Sequence, residues 1–98
     1  MLYAIIARDK PNNVDRRKAL RPTHLEHLKS AGDQIVCAGA LYDESDQPSG
    51  SLVVIEAADL GAAKALAAAD PFVTEGVFDS YEVIRWNWAI NNPTGRGQ

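Results

Sequence analysis

The sequence predicts an α+β fold, a four-stranded antiparallel sheet with two helices on one of its faces. Three observations lead there. Four apolar segments suit strands, and two longer segments of helical composition lie after the first and after the third of them. The order is therefore βαββαβ, the ferredoxin-like arrangement. The chain has 98 residues, which is one domain.

Leu2 to Ala7 is apolar without alternation, and Arg8-Asp9-Lys10 ends it. Leu2, Ala4 and Ile6 face one way and Tyr3, Ile5 and Ala7 the other, so this strand is expected to be buried on both sides. Pro11-Asn12-Asn13 is a turn. From Asp15 to about Ala31 the chain reads as helix, with Asp15 as N-cap and Gly32 as the C-terminal stop. Leu20, Leu25 and Leu28 belong to its apolar stripe, and Arg16, Arg17, Lys18, Glu26 and Lys29 are assigned to solvent. Pro22 cannot donate to the carbonyl of Lys18 and crowds it, so a kink or two abutting segments is expected.

Ile35 to Tyr42 reads as a second strand apolar on both faces, with Gly39 marking a bulge or a close approach. Asp43 to Ser49 is a hairpin loop, and Gly50-Ser51 opens the third strand, which runs to Glu56. Asp59 caps an alanine-rich helix from Leu60 to Ala69. Asp70-Pro71 ends it, since a residue before proline avoids the helical region. Phe72 to Gly76 is one further turn, and Ser80 to Trp88 is the fourth strand, with Trp86 and Trp88 on one face as core or dimer contacts. Residues 1–90 are expected to form the domain and residues 91–98 a C-terminal tail.

Helices on one face leave the other, equally apolar, face bare. A domain this small buries only about 60–65% of its unfolded surface, and a bare apolar sheet is an aggregation hazard. The expected cover is a second copy, in a homodimer or higher homo-oligomer whose sheets stack into an α+β barrel.

Composition narrows the function. With 46% apolar and 23% charged residues the chain is of globular type. A formal net charge of -3 offers no basic face for nucleic acid and no polybasic membrane patch. Met1 to Ala7 reads as a strand, not a signal peptide, and no apolar run is long enough to span a bilayer. The single cysteine, Cys37, excludes an internal disulfide, is read as a buried small hydrophobe, and fits a reducing, cytoplasmic setting.

Chemistry is concentrated in Arg21-Pro22-Thr23-His24-Leu25-Glu26-His27-Leu28, which holds both histidines. His24 is four residues from Leu20 and from Leu28, so it lies on or beside the stripe that faces the sheet. There it is either a core histidine satisfied by a carbonyl or a general acid–base group oriented by a carboxylate. Asp70 offers that carboxylate. At the C-terminal end of the second helix its charge is disfavoured and needs a partner. Alternatively it only terminates the helix before Pro71. Arg21, three residues before His24, is a surface cation, an anion-binding group or an ion-pair partner of Asp70. Ser51 is either solvated or directed into a cleft. His24 and His27 as a metal pair lack a third ligand, and no metal is expected. No phosphate loop, dinucleotide fingerprint or nucleophile elbow is present.

Arg21-Pro22-x-His24-Leu25-x-x-Leu28, Gly39-Ala40-Leu41, Gly50-Ser51 and Ala69-Asp70-Pro71-Phe72 with Gly76-Val77 resemble the YciI-like (YCII-related) family of the dimeric α+β barrel superfamily. The resemblance covers nearly the whole chain, with a hairpin loop short for the family. It implies a ferredoxin-like fold that dimerises, and an active site built on a histidine–aspartate pair, here His24 and Asp70. Arg21, Ser51 and Phe72 are the expected substrate-binding residues. Relatives include muconolactone-isomerase-like proteins and a dehydrochlorinase of hydroxylated aromatic rings. The wider superfamily includes cofactor-free monooxygenases and haem-binding enzymes.

Two functions follow as expectations. One is a small enzyme without cofactor that uses His24 and Asp70 for acid–base chemistry, as an isomerase or a dehydrochlorinase-like lyase, on a small cyclic or aromatic oxygenated substrate. The other is a non-catalytic homodimer that binds a small molecule or a protein, with the pair as a structural hydrogen bond. Haem binding is a minor third.

Overall fold

The computed structural model describes residues 1–96. In chain order it contains β1 (Leu2–Asp9), α1 (Val14–Ser30), a 3₁₀ turn (Gly32–Gln34), β2 (Ile35–Tyr42), β3 (Pro48–Glu56), α2 (Leu60–Ala68), α3 (Pro71–Thr74) and β4 (Phe78–Trp86). The strands form one sheet in the order β2-β3-β1-β4, and every neighbouring pair is antiparallel. This is the ferredoxin-like α+β fold, with the third helix a single turn after Pro71.

β1 lies between β3 and β4, and its residues from Leu2 to Ile5 are buried. On the helix side Tyr3, Ile5, Val53 and Ile55 pack with Ala57, Ala63 and Ala67. The alanines of α2 let that helix lie close to the sheet, and its start is fixed by Asp59, whose Oδ1 accepts from the Ala62 amide at 2.8 Å. A second cluster, Ala7, Phe72, Val77 and Phe78, fills the opposite end under Leu20 and Val73. On the face turned away from the helices, Ala4 pairs with Val54 and Ile84, and Ile6 with Leu52. Leu52 and Ile84 are 38% and 44% exposed there.

Several expectations are corrected. The N-cap of α1 is Asn13, not Asp15, which lies inside the first turn. Asn13 does not cap with its side chain; its Nδ2 donates instead to the Val77 carbonyl at 3.0 Å and ties the helix start to the residue just before β4. α1 continues through Pro22 as one helix. Gly32, with φ of 57°, does follow the helix end. β2 is an edge strand and is largely exposed, so its apolar residues are not buried on both faces, and Cys37 is exposed. Gly39 pairs in register with Leu52, and a Cβ there would meet nothing. The β2–β3 register shifts lie instead between Ile35 and Cys37 and between Leu41 and Tyr42.

β1 continues to Asp9, β3 begins at Pro48, and β4 runs from Phe78 to Trp86. Trp88 lies beyond the strand end, its ring 5.5 Å from that of Trp86 and its Nε1 donating to the Ile90 carbonyl. The segment after it is tied down as far as Arg96. Arg96 pairs with Glu56 at 2.9 Å and also donates to the Asp33 carbonyl, so the segment crosses from β4 to the strands at the other side of the sheet. Residues 97–98 of the expected tail lie outside the described residues.

Candidate active site

α1 buries two residues, Arg17 and His24, and both are polar. They are seven apart, two helical turns or ~10.5 Å of rise, and share a face with Leu20 and Leu28. A helix that turns such groups inward needs partners for them, and α3 and the strand ends supply these.

The partner of His24 is Asp70. Its Oδ1 and Oδ2 lie 2.8 and 2.9 Å from the imidazole Nδ1. Both side chains are buried, at 8% and 9% exposure. Asp70 is extended, at φ -64° and ψ 130°, as the residue before Pro71 should be. It follows α2, but it also begins α3. Its Oδ1 accepts from the Phe72 amide at 2.9 Å. The carboxylate therefore meets the Phe72 N–H at the start of α3, while Asp70 also stands, as expected, directly after the C-terminal end of α2. Phe72 continues the motif by stacking on His24, ring centroids 4.0 Å apart and 5° from parallel. Phe78 meets the edge of Phe72 at 5.6 Å. The imidazole is thus held at Nδ1 and along one face. Its Nε2 has no hydrogen bond among the described residues, yet it is not among the buried unpartnered atoms and so stays accessible.

Arg17 was expected in solvent and is instead 5% exposed. Its Nε lies 3.2 Å from Asp9 Oδ2, and its Nη2 donates to the Gly50 carbonyl and to Ser51 Oγ. Its Cζ sits 4.8 Å from the Phe72 centroid. The Asp9 side chain is equally buried and makes no hydrogen bond through either oxygen among the described residues. Burial pushes its carboxyl above the ordinary range, and the Arg17 charge pulls it back only in part. Burial likewise pulls the Arg17 guanidinium below its usual value, opposed first by Asp9.

A cavity of about 370 Å³ opens between α1, β2 and β3. His24, Arg21, Ser51 and Phe72 line it, as does Arg17. Asp70 does not; it stands behind His24. Arg21 is exposed at the rim and makes no ion pair with Asp70. Ser51 is buried, its hydroxyl taken by Arg17. His27 turns elsewhere, its Nε2 3.2 Å from the Leu66 carbonyl, and no group of three or more potential metal ligands gathers among the described residues. Arg17 and Asp9 form a buried pair beside the cavity that the sequence does not point to. The available signal was spacing: Arg17 stands seven residues before His24, but Arg16 and Lys18 on either side gave it the look of a solvated run.

The YCII-related domain matches residues 1–87. Protein YciI of Escherichia coli O6:H1 is 37% identical over 91 residues, covering 85% of this chain and 93% of the relative. An uncharacterised Haemophilus influenzae protein is 40% identical over 86 residues, covering 80% and 88%. Among solved structures, 5-chloro-2-hydroxyhydroquinone dehydrochlorinase (TftG) of Burkholderia phenoliruptrix AC1100, in complex with 2,5-dihydroxybenzoquinone, superposes with a TM-score of 0.80 at 25% identity, covering 89% of this chain and 94% of that one. Protein Atu4242 of Agrobacterium tumefaciens shares the fold, with a TM-score of 0.57 at 19% identity, covering 95% and 98%. No helix among the described residues is long and apolar enough to cross a membrane.

Proposed function

Since this chain belongs to the YCII-related domain family, we propose that it is a small cofactor-independent enzyme whose His24–Asp70 pair moves a proton on a small cyclic or aromatic oxygenated substrate. One observation carries this reading. Asp70 occupies Nδ1 of an imidazole whose Nε2 is unpartnered and accessible beside a cavity. A carboxylate at Nδ1 favours the neutral tautomer with its proton there, which leaves the Nε2 lone pair as the base. After Nε2 takes a proton, the same carboxylate stabilises the imidazolium. Returning the proton to another atom of the substrate gives isomerisation. Loss of a halide from the carbanion or enolate gives elimination, the chemistry named for TftG. Arg21, Ser51 and Phe72 line the space the ring would fill.

The assay is turnover of hydroxylated and halogenated ring compounds, followed by product analysis and chloride release. Wild-type protein should turn over at least one, and His24→Asn should lose about 10²–10⁴-fold. Full activity in His24→Asn rejects the assignment. The burial of both His24 and Asp70 is what favours the alternative, a structural pair in a non-catalytic binding module. That reading requires Asp70→Asn to lower stability with no separate effect on ligand.

The protein acts as a homodimer in this reading, with the sheet faces that carry Leu52 and Ile84 stacked together. Sedimentation should give a dimer at micromolar concentration; a monomer rejects it. A free, exposed Cys37 suits the cytoplasm.

A further inference from the structure

Building on the acid–base reading of the same site, we propose that the cavity takes its ring ligand as an anion, that Arg17 binds the ionised oxygen, and that Asp9 positions Arg17 to do so. The first support is the charge of the lining. Arg17, Lys18, Arg21 and His24 line the cavity, and no aspartate or glutamate does. The chain as a whole is acidic, at -3, so this positive interior is a local arrangement.

The second support is how Arg17 is held. Two of its three nitrogens are engaged, Nη2 by hydrogen bonds to Gly50 and Ser51 and Nε by an ion pair with Asp9 that is not a hydrogen bond. Nη1 engages no hydrogen-bond partner among the described residues. A guanidinium fixed at one end presents its remaining donors to a carboxylate or phenolate in a preset direction. Its desolvation has already been met in folding.

The third support is Asp9. It does not line the cavity. Its oxygens make no hydrogen bonds, and its charge is disfavoured by burial. It therefore orients the guanidinium without saturating it, and an incoming anion completes the set.

Phe72 joins this anion site to the base. His24 and Arg17 both lie against its ring, so the imidazole and guanidinium are separated by no more than the sum of two short contacts. One substituted six-membered ring bridges such a span, its ionised oxygen at Arg17 and its reacting atom at His24.

The test compares 4-hydroxybenzoate with 4-hydroxybenzamide, which has nearly the same shape and no charge. A second anion, 2,5-dihydroxybenzoquinone, is ionised at neutral pH. Binding is read by calorimetry and by NMR. Wild-type protein should prefer the benzoate by about tenfold or more, the worth of one charged hydrogen bond. Arg17→Gln should bring both ligands to the same weak affinity. Arg17→Lys keeps the charge without the fork and should lose several-fold of the preference; it decides the matter if Arg17→Gln does not fold. Asp9→Asn should weaken the benzoate and leave the amide unmoved, which a merely structural role would not do. Equal binding of the two ligands, no binding of either anion in the millimolar range, or an unchanged preference in Arg17→Lys overturns the proposal. His24→Asn should keep the preference. If it also keeps turnover, the acid–base reading fails while the anion site stands.

Discussion

Both carboxylate oxygens of Asp70 lie within 2.9 Å of His24 Nδ1, and one of them also accepts from the Phe72 amide. One side chain thus orients the imidazole and starts α3. Asp70→Ala removes both functions. It should cost about 1 kcal/mol for the cap and about 1–3 kcal/mol for an imidazole left buried without its partner. Asp70→Asn keeps an oxygen for the Phe72 amide, since asparagine caps as well as aspartate. Denaturant unfolding should therefore rank Ala well below Asn, while turnover falls in both. Equal stability of the two variants would show that the cap is not made by this side chain.

Gly50 is the glycine that the sheet cannot replace. A Cβ there would sit 2.3 Å from the Ala7 carbonyl oxygen, in the central strand. Gly50→Ala must push β1 and β3 apart and displace the carbonyl that accepts from Arg17. A loss of about 1–3 kcal/mol is expected. Gly39→Ala, where nothing stands within 4 Å, is the control and should stay within about 0.5 kcal/mol. Thermal or denaturant unfolding of the pair checks the contrast.

Asp9 makes a prediction about pH. Its folded carboxyl is raised, chiefly by burial. The folded state therefore holds its proton more tightly than the unfolded state does. Between the ordinary carboxylate range and the raised value the folded chain binds more protons, so stability falls as pH rises through that window. Measured against Asp9→Asn, which has no such proton, wild-type protein should be relatively most stable in acid and lose that advantage on the way to neutrality. An advantage that grows with pH would mean that Arg17 outweighs burial at this site.

Much of this was legible in the residues. The strand and helix order followed from apolar runs and their punctuation by Gly32, Asp59 and Pro71. A polar residue on an apolar stripe and a carboxylate placed by proline made His24 and Asp70 candidates for each other but left a core histidine and a plain helix stop open; the family resemblance is what implied the pair. What was not legible depended on tertiary partners. Asp15 looked like a cap, but Asn13 holds the helix start through Val77, a contact across 64 residues. Arg17 looked solvated because its neighbours are, and tertiary partners explain why it turns inward: Asp9, the Gly50 carbonyl and the Ser51 hydroxyl. β2 has the composition of an interior strand but lies at an edge and is largely exposed. Gly39 drew attention in the sequence, yet the close approach occurs at Gly50, one strand over.

The central claim is that Asp70 holds His24 with its proton on Nδ1 and its lone pair on Nε2. Long-range nitrogen–proton NMR correlations, recorded where the imidazole is neutral, read the tautomer directly. The account predicts that His24 is the Nδ1–H form in wild-type protein, and that Asp70→Ala loses this preference. An Nε2–H tautomer in wild-type protein, or the same tautomer in the variant, would contradict it.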